Sequence, residues 1–524
     1  MEAHGKNFVG DGATAVTAKR RFYAPQEELK QMHQHWKHWR GSARNAWGGI
    51  EDPDLLKYSS SWGFLSALLP GRKRCSRERC ARASRGEPTR ESGKHKKHNH
   101  IWWACLAALP GSFQYGWGLS VINVPQASVC ASLALAEGSF AWSLLVAILS
   151  PSGLLGAWLG PTVVRRLGLV RALRSTALFF VVSGMLFPMS AQAANSSCLS
   201  LAYTLFALGR IVAGIGAGAA TVFVPLYLGQ IAPLELRGAI GNLHQVAIVL
   251  GLLVAQLAGA TLSWPCALAL AAAFGILQIL LMPRLLDVQE DVQESTVEAA
   301  GESRGFRALL TDPGVRRPLF MAIVLMALQQ YSGINGIWYY STGFFAHAGL
   351  SNPLAGTLLS SLVFMVATLL AVPLIEQAGR RALLLRGQAG ALLSLSLLTL
   401  AMCLKSVNVS IGLNGLLNAL VVMAVLGFVS SFAVSLGPIP WQIANEIFPL
   451  RCRAEAQCLI ASLCEVFSAS VALGFPVLQR SLGSNLAFAP SVLVLFAGIF
   501  VVKKNLPETK NRKVEDVLAE FNQR

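Results

Sequence analysis

From residue 101 to residue 503 the chain runs through apolar stretches of about twenty residues, each long enough to cross a bilayer core as a helix. Twelve are read, centred near 113, 151, 182, 212, 249, 273, 329, 364, 393, 427, 467 and 493. Backbone in hydrocarbon must satisfy its own hydrogen bonds, so such stretches fold as helices and pack on one another. Composition agrees: 53% of residues are apolar, 14% are charged and the mean hydropathy is +0.50. A soluble chain of this size would expose far more charge. The fold class is an all-α membrane protein.

One short segment occurs twice. Gln230-Ile-Ala-Pro-Leu-Glu-Leu-Arg237 is echoed by Glu446-Ile-Phe-Pro-Leu-Arg-Cys-Arg453, with Ile231, Pro233, Leu234 and Arg237 matching Ile447, Pro449, Leu450 and Arg453. Each copy follows one apolar stretch and precedes another. The separation is about half of the apolar region, so a multi-span unit is duplicated, as in several transporter folds.

Charge sets the expected orientation. With the N-terminus inside, the inner loops hold Arg165, Arg166, Arg171 and Arg174, then Arg237, then Arg284 to Arg317, then Arg380, Arg381 and Arg386, then Arg451 and Arg453. The outer loops hold little beyond Lys405 and Arg480. Basic loops stay cytosolic, so both termini are read as cytosolic and the span number as even. The glycosylation sequons at Asn195 and Asn408 both fall in outer loops on this reading.

Residues 1–100 differ from the rest. They carry 20 basic against 10 acidic residues and seven of the nine histidines. Nucleic-acid binding is conceivable for such a tract, but no nucleic-acid-binding pattern accompanies it. The reading is a disordered cytosolic arm drawn to anionic lipid. His95, His98 and His100 and the scattered cysteines show no metal spacing, and no metal, cofactor or catalytic residue is expected. The parts are then residues 1–100 as arm, 101–283 as the first six-helix half, 284–315 as a short cytosolic linker, 316–503 as the second half and 504–524 as a cytosolic tail.

Five motifs stand in order at span ends: Pro225-Leu-Tyr-Leu-Gly-Gln-Ile-Ala-Pro-Leu-Glu-Leu-Arg-Gly238, Gln329-Gln-Tyr-Ser-Gly-Ile-Asn-Gly-Ile-Trp-Tyr-Tyr340, Glu376-Gln-Ala-Gly-Arg-Arg381, Gly437-Pro-Ile-Pro-Trp441 and Pro507-Glu-Thr-Lys510. Together they resemble the sugar porter family of the major facilitator superfamily, most of all its facilitative hexose transporters, the GLUT group. The resemblance runs from about residue 105 to 515. It implies twelve transmembrane helices in two six-helix halves, alternating access around a central site, a hexose as small-molecule partner, and a plasma or vesicle membrane as location.

The residues themselves point the same way. A hexose both donates and accepts hydrogen bonds, and carboxamides do both without a fixed charge. Gln329 and Gln330 lie mid-span, with Asn335 between Gly333 and Gly336, which favour a helix break. Irregular backbone at that depth is tolerated where it lines a cavity. Gln245 adds a carboxamide and Trp441 an aromatic face. An isolated intramembrane glutamine is often interhelical glue; in the hexose transporters the residues matching Gln329, Gln330 and Asn335 contact sugar. Trp338, Tyr339, Tyr340, Phe344 and Phe345 are read either as helix packing or as an outer gate.

An inner gate is expected from Gln230, Arg237, Glu376, Arg380, Arg381, Glu446 and Arg453. The family usually has Glu at the position of Gln230, and an acidic or amide residue where the 164–171 loop has neither. A weaker inner gate is the expectation. Other departures are Phe364 for a sugar-contacting Asn, Ala433 for a Glu, and Glu465 for a Trp, the last read either as cavity-lining or as an inner-edge residue. The segment 105–125 holds no acidic residue and no Lys, Arg or His, which favours uniport over proton symport. A transport-deficient sensor or scaffold is the rival from another class. No nucleophile–base pair or nucleotide loop suggests an enzyme.

Overall fold

The computed structural model describes residues 90–136, 139–233, 236–282, 309–338, 345, 352–406 and 414–523. Residues 1–89, the acidic stretch 287–298, Tyr339, Tyr340, Phe344 and the Asn408 sequon lie outside them. The chain forms two units, Met1–Ser76 and Arg77–Arg524, and everything below concerns the second.

Sixteen helices and no strand are seen among the described residues. The first half holds α1 (Arg90–Ser120), short α2 (Gln126–Ser132), α3 (Phe140–Ala147) continued by α4 (Leu149–Leu167), α5 (Leu169–Asn195), α6 (Leu199–Ile231), α7 (Arg237–Thr261) and α8 (Trp264–Leu281). The second holds α9 (Pro313–Tyr331), α10 (Pro353–Ala378), α11 (Arg380–Ser406), α12 (Asn414–Ala433), α13 (Ile439–Ile447), α14 (Leu450–Leu486), α15 (Ala489–Asn505) and amphipathic α16 (Val514–Gln523). Ten helical stretches are long and apolar enough to cross a membrane. With α1 and α15 at the two ends, all twelve expected centres fall in helices.

Local chemistry sets the helix starts. Asp312 accepts a hydrogen bond from the Gly314 N–H at 2.9 Å, and Pro313 occupies the first turn, where its missing N–H costs nothing. Asn352 and Pro353 repeat the device at α10, with the Ala355 N–H at 3.1 Å. The helix α1 differs from expectation. It begins at Arg90, inside the segment read as a disordered arm. No proline lies between Pro88 and Pro110, so a helix nucleated in the apolar run after Ile101 extends backwards at little cost.

Small residues bring the helices of the first half together. A Cβ at Gly218 of α6 would lie 1.9 Å from the Gly153 carbonyl oxygen of α4. Only glycine permits that approach, as at close helix crossings in membranes. The halves meet through α4 on α14 and α7 on α10, with α6 against α13 and α14. These are the second span with the eleventh and the fifth with the eighth. Shifting each by six exchanges the two pairs, which is the pseudo-two-fold relation a duplicated unit produces.

Candidate functional site

Two helix breaks meet between the halves. The first follows α9, at Ser332 and Gly333. Gly333 has φ +99°, a left-handed conformation that a side chain would strain, and helix resumes over 334–338. The second separates α12 from α13. A helix would pair the N–H of residue 440 with the carbonyl of residue 436, but Pro440 has no N–H. Gln329 fills that gap: its Nε2 donates to the Leu436 oxygen at 2.8 Å and the Gly437 oxygen at 2.9 Å. One carboxamide thus joins the seventh span to the kink in the tenth.

A chain of amides continues from there. Gln330 Nε2 donates to Gln329 Oε1 at 3.1 Å and reaches Cys464 Sγ at 3.1 Å. Asn335 Nδ2 donates to Gln330 Oε1 at 2.5 Å. Gln245, from α7 of the first half, faces the same kink: a Cβ at Gly437 would lie 3.5 Å from its Nε2. Gln245 is buried and makes no hydrogen bond among the described residues. Its neighbour His244 accepts or donates at Nδ1 with Ser112 Oγ at 2.7 Å, while its Nε2 is buried without a partner. The His244 ring stands edge-on to Trp441, centroids 5.3 Å apart. The five residues read from sequence as substrate-binding are therefore gathered at one kinked junction between the halves.

The arrangement separates two jobs. The Gln329 amide is spent on backbone carbonyls and on Gln330. Gln245, Asn335 Oδ1 and His244 Nε2 keep hydrogen-bonding capacity for something else, with the Trp441 ring beside them. Neutral donors and acceptors against one aromatic face suit an uncharged polyhydroxy molecule.

The departures find places too. Phe364 packs between Trp338 (centroids 5.2 Å) and Phe432 (6.1 Å), and Ala433 is buried in the same apolar wall. Trp338 and Phe345 are buried; Asn123 of the first half donates to the Trp338 carbonyl at 3.3 Å. Glu465 lies between α14 and α4: a Cβ at Gly153 would stand 3.0 Å from its carboxyl carbon. The inner-edge alternative is thereby set aside, and its Oε1 is buried without a partner.

The arginine-rich end, here the basic end, carries the other predicted set. In the second half Arg380 binds Glu446 through Nη2 at 2.8 Å and Nε at 3.0 Å, and Glu376 through Nη1 at 3.3 Å. Thr509 donates to Glu446 at 2.5 Å. Glu508 accepts from the Arg380 N–H at 2.8 Å and the Arg381 N–H at 3.1 Å, a carboxylate on the positive end of α11. Arg381 itself donates to the Lys503 carbonyl at 2.7 Å. Among the described residues Arg453 reaches a backbone carbonyl, that of Phe448, at 3.3 Å. Gln230 Oε1 and Arg237 Nε are buried without partners.

Beside the residues expected to form an inner gate, other groups join the halves. Glu376 accepts from the Ala239 N–H of α7 at 2.9 Å. Asn445 donates to the Pro225 carbonyl of α6 at 3.0 Å, and Gln457 to that of Thr221 at 3.4 Å. Arg165, from the loop that holds no carboxylate of its own, pairs with Glu455 of the opposite half at 3.1 Å. Sequence reasoning passed over Glu455, Cys464 and the roles of Glu508 and Thr509. The Pro507–Lys510 motif marked the last two; nothing local marked the first two. Asn195 ends α5 and is exposed.

Comparison with known proteins agrees with this architecture. A family model described as Sugar (and other) transporter matches residues 103–288 and 284–521. The mouse solute carrier family 2, facilitated glucose transporter member 4, is 32% identical over 490 residues, covering 83% of this chain and 92% of the relative. The chicken facilitated glucose transporter member 1 is 31% identical over 482 residues, covering 83% and 95%. Among solved structures, the proton:xylose symporter XylE of the major facilitator superfamily, bound to 6-bromo-6-deoxy-D-glucose, superposes with a TM-score of 0.69 at 21% identity, covering 81% of this chain and 100% of that one.

Proposed function

The chain belongs to the sugar transporter family, a multi-pass integral membrane protein, and on that premise we propose that it carries a hexose down its gradient by alternating access. Glucose is the first substrate and fructose the second. The observation that carries the reading is the junction itself: a neutral amide chain from the second half, Gln329, Gln330 and Asn335, faces an uncommitted Gln245 across the plane where the halves part, with Trp441 of the second half beside it. The relatives named as facilitated glucose transporters support the same substrate class. The basic end is the cytosolic end on the positive-inside rule, which places both termini inside. A plasma membrane suits the protein, with a vesicle membrane as the alternative.

Uniport is favoured because the membrane part of α1 carries no ionisable carboxyl, Lys, Arg or His. A proton-linked reading retains one specific observation in its favour, the buried Glu465 carboxyl between α4 and α14. Labelled D-glucose uptake into proteoliposomes tests the proposal, with L-glucose and fructose as competitors and intravesicular pH followed in parallel. Saturable uptake that D-glucose and fructose compete for, and L-glucose does not, is the expected result. Acidification that tracks sugar entry would replace uniport with symport. Background flux with sugar binding intact would replace transport with a sensing role.

A further inference from the structure

The seam between α7 of the first half and α13 of the second is built in layers about one helical turn apart. At the basic end Glu376 accepts from the Ala239 N–H of α7, and Arg380 holds Glu446 of α13. At the junction His244 stands edge-on to Trp441, and Gln245 faces the kink at Gly437. Between these two layers lies Gln442. It follows Trp441 directly and comes one turn before Glu446. A Cβ at Gly241, one turn before Gln245, would lie 3.0 Å from the Gln442 Cγ and 3.3 Å from its amide carbon. The side chain therefore rests against the α7 backbone, where glycine leaves it room.

Gln442 is 4% exposed, and neither its Nε2 nor its Oε1 has a hydrogen-bond partner among the described residues. Asn242, next to Gly241, is buried as well. Its Nδ2 donates to the Thr368 carbonyl of α10 at 3.4 Å, and its Oδ1 has no partner. Other amides nearby are employed within the protein: Gln329 holds two carbonyls at the kink, and Asn445 holds that of Pro225. A buried carboxamide with both ends idle costs the desolvation of a donor and an acceptor. An apolar residue of similar length would fill the seam without that cost. The polar group is accounted for if its partner is a molecule that comes and goes. One turn away the junction offers donors and acceptors to a polyhydroxy molecule, and Gln442 lies on the side that such a molecule passes to reach the basic end.

We propose that Gln442 is a further substrate-binding residue. Its amide hydrogen-bonds hydroxyl groups on the edge of the hexose that faces the basic end, donating through Nε2 and accepting through Oε1. The inference rests on the reading of the junction as a hexose site and extends that site toward the gate. Contact at two atoms makes Gln442 selective for where on the ring those hydroxyls stand.

The test pairs a substitution with a change in the sugar. Binding of labelled D-glucose to the full-length protein in detergent is measured with the singly deoxygenated glucoses, one for each hydroxyl, as competitors. Gln442→Leu removes donor and acceptor and keeps an apolar group of similar size, so the unfolding midpoint should hold or rise. D-glucose affinity should fall by about tenfold, the loss of one or two hydrogen bonds to ligand. One or two of the deoxyglucoses should bind the wild type about tenfold more weakly than D-glucose, and bind Gln442→Leu as well as D-glucose does. The other analogues should be discriminated as before. Coupling to particular hydroxyls marks direct contact, whereas a residue that only packs the seam affects all the sugars alike. Gln442→Met repeats the measurement should Gln442→Leu fail to fold. Unchanged D-glucose affinity, or a uniform loss that leaves the discrimination among analogues intact, overturns the contact. Wild-type protein that binds no D-glucose overturns the hexose reading and this inference with it; binding that is indifferent to Gln442 overturns the inference alone.

Discussion

The two copies of the repeated segment lie at corresponding ends of corresponding helices, yet only the second opens on a residue, Glu446, that sits in a closed set of charges. Around the second copy, Glu446, Arg380, Glu376, Glu508 and Thr509 satisfy one another within about one side-chain length of the α11 start. Around the first, Gln230 Oε1 and Arg237 Nε have no partner among the described residues, and the ion pair formed by the neighbouring loop is made with the opposite half. Duplication has kept the backbone positions and the helix pairings. It has not kept the partners. A pseudo-symmetric fold can thus join one half to itself at its basic end while the other half depends on contacts across the interface.

The comparison is most exposed to failure at Arg380. This side chain is 2% exposed and holds two carboxylates. Arg380→Ala leaves Glu446 buried with only Thr509, and removing one member of a buried pair costs about 3–5 kcal/mol. The unfolding midpoint in detergent should fall accordingly. Arg237→Ala, in the repeated segment of the first half, removes a guanidinium that has no ion pair among the described residues, and should cost far less. Equal losses from the two substitutions would end the claim that the halves differ.

The next largest effect separates the two carboxamide roles. Gln329→Ala strips the donors from the Leu436 and Gly437 carbonyls, and a buried unsatisfied group costs about 1–3 kcal/mol. It should lower stability and hexose affinity together. Gln245→Ala, from the first half, breaks no hydrogen bond of the protein. It should leave the unfolding midpoint in place and weaken D-glucose binding by about tenfold, the loss of one or two hydrogen bonds to ligand. If Gln245→Ala instead unfolds the protein and leaves affinity alone, the division of labour at the kink is wrong.

These contrasts also show what a sequence discloses in a chain like this. The twelve spans were legible because length and apolar character determine them residue by residue. The break at Gly333 was legible for a local reason too, since two glycines stand within four residues. The anchoring of Gln329 follows from Pro440, a residue in plain sight, but only once the tenth span is known to lie beside the seventh. Glu455 was illegible. It lies 290 residues from Arg165, and no motif joins them. The 164–171 loop holds no carboxylate of its own, and its Arg165 is paired with one from the other half. Which residues meet across a membrane interface is decided by helix packing, and packing is not written in any one segment.

The smallest effect concerns that pair. Arg165 is 42% exposed, whereas Glu455 is 3% exposed, so solvent screens one partner and not the other. A double-mutant cycle with Arg165→Gln and Glu455→Gln should give a coupling energy of about 0.5–1 kcal/mol, the range of a half-exposed pair and well below the buried Arg380 set. The single substitutions should not be equal. Arg165→Gln removes the cation from a carboxylate that stays buried; Glu455→Gln releases an arginine that can turn to water. The first should therefore destabilise the protein more than the second. It should also favour opening at the basic end, because the pair spans the two halves, and raise the rate at which sugar enters the site from that side in equilibrium exchange. Equal costs with an unchanged exchange rate would mean that Arg165–Glu455 is surface decoration and that the backbone-directed amides, Asn445 and Gln457, hold the halves together by themselves.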